Sequence, residues 1–323
     1  MTALWQQAMI RLARSPRVVE AVQGRQQLAG LAGRFVAGAD LDAALTVARG
    51  LHRQGIAVTL FWLGEYVDDP VLVADAVKQL RSAAGALAEE GLDVHLSVDP
   101  TQAGMMTGAT ECQRNVAAIA RSVAAARHPA ERTERDVLMI DMEDSSTTRA
   151  TLDLHERLRS DGLAVAVTVQ AYLHRSDADL HRLAGSGAWV RLVKGALAEP
   201  ATVAAQSRTE INARYRQGLH TLFSPQAREA GCRPSVATHD LRMIVEATAL
   251  ARRQGWSPQR FELEMLYGVR PDLQRELARR GYLVRVYLPF GRAWFPYAVR
   301  RVGESPRNLR FAVTALTAGS SRS

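Results

Sequence analysis

Lysine is almost missing from this sequence. Only Lys78 and Lys194 occur among its 41 basic residues, so its positive charge sits on scattered arginines. That excludes the lysine-rich tail of a nucleic-acid-binding chain, and neither a recognition-helix signature nor an RNA-binding aromatic motif is present. Cysteine is equally scarce. Cys112 and Cys232 are too few and too far apart for a disulfide framework or a metal cluster. No apolar run approaches the length needed to span a bilayer. The first residues, MTALWQQAMIRLARSPRVVEAV, are spaced like an amphipathic helix and lack the compact apolar core and cleavage site of a signal peptide. A cytoplasmic location is the expectation. HExxH, CxxC and clustered His/Asp sets are absent, which argues against a metal site. No GxGxxG follows a strand and no GxxxxGK precedes a serine or threonine, which argues against Rossmann and P-loop nucleotide sites.

What is present is an ordinary globular composition, 47% hydrophobic and 23% charged over 323 residues, with a formal charge of +8. A basic surface suits an anionic membrane face, so peripheral membrane contact stays open.

Eight short apolar, β-branched runs can be counted: IAVTLF from Ile56, VHLSV from Val94, VLMI from Val137, LAVAVTV from Leu163, AWVRLV from Ala188, PSVAT from Pro234, FELEML from Phe261 and YLVRVYL from Tyr282. Helical spacing fills the gaps, including Pro70–Glu90, Glu111–Ala126, Ser145–Leu158, Gln206–Leu222 and Leu241–Arg253. Gly55, Gly91 and Gly162 are natural helix stops before the next strand. Strand and helix alternate throughout, the pattern of an α/β protein with a parallel sheet. Eight units in this length predict a (β/α)8 TIM barrel over residues 51–310. A helical segment, 1–50, precedes it, and a tail, 311–323, expected to be partly disordered, follows. A doubly wound open sheet is the alternative.

In such barrels chemistry sits at the C-terminal strand ends. Here these ends read Glu65, Asp99, Asp141, Gln170 with Tyr172, Arg191 with Lys194, Thr238 with His239, Glu264 and Tyr287. Nearly every run ends in a group that hydrogen-bonds or carries charge, which favours an active site at one rim. VRLVKGA places Lys194 before small residues, where a phosphate can approach an ammonium and backbone N–H groups; a solvated lysine before a plain turn reads equally well. In IDMEDSST, Ser145 is a natural helix N-cap, with Glu143 and Asp144 near a helix dipole. YLPFGRAWFPYAVRR gathers four aromatic residues within eight positions before paired arginines. Aromatic walls with two guanidiniums suit a small molecule with an apolar body and a carboxylate. A helix packing its aromatics on the core is the plainer reading.

Taken in order, VQAY, VRLVKGA, ATHD, FELEMLYG and YLPFGRAWFPYAVRR make the chain, from about Leu60 to Asn308, resemble the proline dehydrogenase family, most closely its small single-domain bacterial type. The resemblance implies a distorted (β/α)8 barrel binding FAD non-covalently at its C-terminal rim. The implied reaction is oxidation of L-proline to Δ1-pyrroline-5-carboxylate, with electrons passed to a quinone. By position, Arg191 would lie beside the flavin near its reactive nitrogen, Gln170 at the flavin edge, and Met142 and Glu264 against the cofactor. Lys194, Gly195 and Ala196 would meet the FAD phosphates, and Thr238 and His239 the distal nucleotide. Asp141 would complete the site around the reacting amine. Tyr287 and Tyr297 would wall the substrate ring, with Arg300 and Arg301 clamping its carboxylate.

Three positions depart from the family pattern. Asp99 replaces the lysine of a pattern like SVKLTQ, Leu197 replaces a tyrosine, and Glu264 stands where glutamine is usual. A reversed charge about 4 Å from a carboxylate is worth roughly 4 kcal/mol at an effective dielectric near 20. Three readings follow. One is proline oxidation with a rearranged clamp. Another is oxidation of a different amine whose carboxylate is masked or absent, which brings in a carrier protein if the substrate is tethered. The third is a barrel without flavin that acts as a binding partner.

Overall fold

The computed structural model describes residues 33–64, 67–127, 131, 133–295 and 297–298. Eight parallel strands close on themselves in sequence order: β1 (Ile56–Trp62), β2 (His95–Val98), β3 (Val137–Ile140), β4 (Val165–Gln170), β5 (Trp189–Val193), β6 (Arg233–Ala237), β7 (Glu262–Leu266) and β8 (Val284–Phe290). Closure is made by β8 pairing with β1 over the whole of both strands, from Ile56 opposite Val284 to Trp62 opposite Phe290. That pairing excludes the open doubly wound sheet. All eight strands lie on the predicted runs, shifted by at most two residues.

Connections between successive strands carry helices, among them Pro70–Glu89, Ala109–Ala125, Thr148–Ser160, Ser176–Gly185, Arg208–Leu222, Leu241–Arg253 and Pro271–Arg279. Asp69, Ser207 and Asp240 accept backbone N–H bonds as N-caps, and Pro70 sits where a missing N–H costs nothing. The expected cap at Ser145 is not formed. The helix begins at Thr148 after Thr147, because Ser145 gives its N–H and hydroxyl to Glu199 at 2.7 and 2.6 Å. Each helix lays an apolar stripe on the outside of the barrel, as Val73, Ala76, Leu80, Ala83 and Leu87 do on the first of the series. Fully burying a leucine such as Leu80 or Leu87 is worth about 1.5–3 kcal/mol.

Pro289 lies inside a strand, a position that normally needs its N–H. Here β7 ends at Leu266 opposite Tyr287, so β8 has no β7 partner at Pro289. The helix Leu41–His52 packs under β1, and the segment before it is stitched to the end of β8. Ala37 N–H donates to Pro289 and Gly291 N–H to Gly38, at 2.8 and 2.9 Å. This brings Phe35 and Val36 against Phe61, Leu63 and Tyr297. Residues 1–32 of the expected lead-in and the 311–323 tail lie outside the described residues.

The barrel interior is more polar than the usual Val/Ile/Leu filling. Val137, Met139, Ala166 and Trp189 form one apolar cluster, while His95, Ser97, Thr168, Arg191, Ser235, Glu262, Glu264 and Arg285 are buried.

Candidate active site

Arg191 organises the upper half of this interior. Its side chain is 4% exposed, and β5 aims it across the barrel axis. Nε donates to Glu264 Oε2 at 2.5 Å, and Nη1 donates to Asp141 Oδ1 at 2.6 Å and Ser97 Oγ at 3.0 Å. Nη2 is buried and meets no hydrogen-bond partner among the described residues. The Tyr287 ring stands 5.3 Å from the guanidinium carbon. Burial opposes the charge, but Glu264 and Asp141 outweigh it and raise the pKa of Arg191 further.

Asp141 is saturated. Oδ1 accepts from Arg191 and from Thr168 Oγ1 at 2.9 Å; Oδ2 accepts from Ser97 Oγ at 2.7 Å and Tyr287 Oη at 3.0 Å. A carboxylate has about four such positions, and all are taken. As folded, Asp141 orients Arg191 and Tyr287. Tyr287 is held by this bond and by the Phe61 ring 5.3 Å away. Burial, then Asp141 and Asp99, push its phenol well above its ordinary pKa.

Asp99 is buried at the exit of β2, close enough to Tyr287 to act on its titration. Its loop is fastened by Glu143, which accepts from Thr101 N–H at 2.8 Å and Thr101 Oγ1 at 2.5 Å. Glu143 thus joins two strand ends instead of serving a helix dipole, and Asp144 accepts from the Ser146 N–H at 3.0 Å. Gln170 Nε2 donates to the Glu143 carbonyl at 2.6 Å, bringing β4 into the same rim. Met142 is half-buried against the core.

On the other side of the mouth, Lys194 Nζ bonds Asn212 at 2.7 Å and Asp240 at 2.9 Å. Burial would raise the pKa of Asp240, but Lys194 outweighs it and holds it low. Gly195 has φ of 105°, and a Cβ there would fall 2.1 Å from the Tyr172 ring, so that ring alone demands glycine. Tyr172 Oη donates to the Leu197 carbonyl at 3.2 Å, and Ala196 is exposed. Thr238 Oγ1 accepts from the Asp240 N–H at 3.2 Å. His239 Nε2 accepts the Leu266 N–H at 3.0 Å, which ties β6 to β7. Tyr297 is buried in the Phe35–Phe61 cluster, whereas Glu65, Arg300 and Arg301 lie outside the described residues.

A second ionic group fills the barrel below. Arg285, fully buried, donates to both oxygens of Glu262 at 2.8 and 2.7 Å, to Asp93 at 3.0 Å and to the Val58 carbonyl at 2.7 Å. His95 Nδ1 is 3.1 Å from Thr59 Oγ1, and burial with the nearby arginines keeps the ring neutral. The ligand atoms of His95, Glu262 and Glu264 lie within 4.8 Å of one another. The sequence showed no such cluster because three strands assemble it, and its carboxylates are answered by Arg285 and Arg191.

With this geometry in place, the proline dehydrogenase family model matches residues 44–313. Proline dehydrogenase of Deinococcus radiodurans is 35% identical over 321 residues, covering 98% of this chain and 99% of that protein. The chain belongs to the proline dehydrogenase family. Proline dehydrogenase 2 of Bacillus subtilis is 31% identical over 88% of this chain and 90% of its own length. Among solved structures, proline utilization A from Bdellovibrio bacteriovorus superposes with a TM-score of 0.75 over 85% of this chain, at 21% identity. The chain spans only 32% of that larger protein, and the likeness is one of fold.

Sequence reasoning missed Ser97 and Thr168, which hold Asp141, and Phe35, which backs the aromatic wall. Ser97 stands two residues before Asp99, and Thr168 two before Gln170. In a strand that spacing puts each pair on the same barrel-facing side, and this was the available signal.

Proposed function

We propose that this chain oxidises L-proline to Δ1-pyrroline-5-carboxylate with FAD bound at the C-terminal rim, electrons passing on to a quinone. The observation that carries the reading is the buried guanidinium of Arg191, fixed by two carboxylates with Nη2 left as an orphaned donor beneath Tyr287. Such a preorganised cation supports negative charge that develops beside it. The residues fit FAD. Arg191 faces the place of the ring system, and Lys194 with the N-terminus of Leu241–Arg253 offers positive potential for phosphates. FAD, when bound, supplies the hydride acceptor.

The chain's own part is placement. Asp141 holds Arg191 and Tyr287, and Tyr287 with the Phe35–Phe61–Tyr297 group shapes an apolar wall for a five-membered ring. Asp99, the buried carboxylate at the exit of β2, takes the amine proton, leaving the nitrogen lone pair free to form the C=N bond. Arg300 and Arg301 receive the substrate carboxylate. Among the described residues no helix is long and apolar enough to cross a membrane; the +8 charge suits approach to an anionic membrane carrying the quinone.

Asp99 also favours a second reading, a cyclic or secondary amine whose carboxylate is masked or absent. Anaerobic titration of the FAD-loaded protein with L-proline separates the two. Bleaching of the visible flavin band supports proline oxidation. A yellow protein that proline leaves unbleached, but an amine ester or amide bleaches, supports the second. A protein that takes up no FAD refutes both.

A further inference from the structure

The buried interior holds more negative charge than positive. Asp93 is shared between Arg285 and Arg135, at 3.0 and 3.4 Å, and is answered. That leaves Asp141, Glu262 and Glu264 facing Arg191 and Arg285, three carboxylates to two guanidiniums. One further proton makes the group neutral, and the geometry decides where it goes. Both oxygens of Asp141 and of Glu262 are already engaged by donors. Glu264 meets Arg191 through Oε2 and shares a side-chain hydrogen bond with Ser235, while Oε1 is buried with no hydrogen-bond partner among the described residues. His95, in the same cluster, has its Nε2 likewise buried with no hydrogen-bond partner among the described residues.

We propose that Glu264 is a proton-holding residue, which takes up a proton when negative charge arrives beside Arg191. The inference rests on the flavin reading above. In that reading the substrate C–H bond breaks and its electron pair goes to bound FAD as hydride. The nitrogen lone pair closes the C=N bond, and one added negative charge remains next to Arg191. With Glu264 ionised, Arg191 is already outweighed by two carboxylates and supports that charge poorly. A proton from solvent on Oε1 leaves the Arg191–Asp141 pair neutral and the guanidinium free to answer the new charge.

The groups facing Glu264 fit this role. They are Arg191 on β5, Glu262 on its own strand, Arg285 on β8, His95 on β2, Ser235 on β6 and Tyr215 on the helix Arg208–Leu222. Burial outweighs the pull of Arg191, and repulsion from Glu262 adds to it, so the Glu264 carboxyl titrates above the ordinary glutamate range.

The test compares FAD-loaded wild type with the isosteric Glu264→Gln by measuring the midpoint potential of bound flavin against pH. One extra proton per two electrons makes the wild-type slope steeper by about 30 mV per pH unit. Equal slopes overturn the proposal. In parallel, the flavin-free proteins are titrated by infrared spectroscopy. A carboxylic-acid carbonyl band that persists above pH 4.5 in the wild type and is lost in Glu264→Gln supports the proton on Glu264. A carboxyl ionised down to pH 4.5, or one already protonated at every pH at which the potential is measured, overturns it. Should neither protein bind FAD, the flavin reading falls, and the infrared result still decides for Glu264.

Discussion

Replacing Arg285 by methionine removes a cation from the lower half of the barrel while nearly keeping the volume of its side chain. The wild-type guanidinium has zero exposure and bonds both Glu262 oxygens, Asp93 and the Val58 carbonyl. Asp93 retains Arg135, so it is not stranded. Glu262, in contrast, becomes a buried carboxylate without its hydrogen-bonded cation, which costs about 3–5 kcal/mol. The orphaned Val58 carbonyl adds about 1 kcal/mol or more. The expected loss is therefore about 4–6 kcal/mol, a large part of a domain's whole stability. Equilibrium urea unfolding followed by tryptophan fluorescence reads it. Because the cost lies in the stranded charge, adding Glu262→Leu to Arg285→Met should restore most of the loss. A single variant within about 1 kcal/mol of wild type, or a double variant weaker than the single, refutes the argument.

Further outcomes are expected at the rim and in the core. Asp99→Asn removes the carboxylate that takes the amine proton and should lower kcat for L-proline at neutral pH by about 10²–10³; an unchanged kcat counts against that role. Asp141→Asn releases Arg191 and Tyr287 together, with kcat/KM expected to fall by about 10²–10³ in steady-state assays, and a near-wild-type rate would remove its orienting role. His155 is buried and its pKa is lowered from 6.5 to about 4 by burial, then by Arg159. The unfolded chain thus binds more protons between those values, and stability is lost as pH falls from 6.5 toward 4, by about 3 kcal/mol in all. His155→Leu should flatten that part of a stability-versus-pH curve; an unaltered slope shows the loss has another source.

The sequence was most legible where one strand or helix decides the matter locally. Val137–Ile140 and Leu241–Arg253 fall where β-branched runs and apolar spacing put them, and Gly55, Gly91 and Gly162 have the positive φ of helix stops. The strand-end rule found Asp141, Arg191, Glu264 and Tyr287, because the chemistry of a barrel lies at one end. What local patterns missed are relations between strands. Glu262 looked like any charge in an apolar run, yet its partner Arg285 lies 23 residues on, and Arg285 reaches Asp93 across 192. Glu262 and Glu264, Arg285 and Tyr287, and His95 and Ser97 each stand two apart, so each pair faces the barrel interior. Ser145 misled for the opposite reason. It has the chemistry of a cap, but Glu199, 54 residues away, competes for it and wins.

From Asp93 through Arg285, Glu262, Glu264 and Arg191 to Asp141, side chains of both signs run up the barrel like ions in a salt crystal. Such a column limits how the protein can evolve. A single exchange inside it strands a neighbour, so drift there must proceed by compensating pairs or by swaps that keep the charge. Asp99 lies beyond this column, at the exit of β2, so an exchange there leaves the ion pairs named above intact.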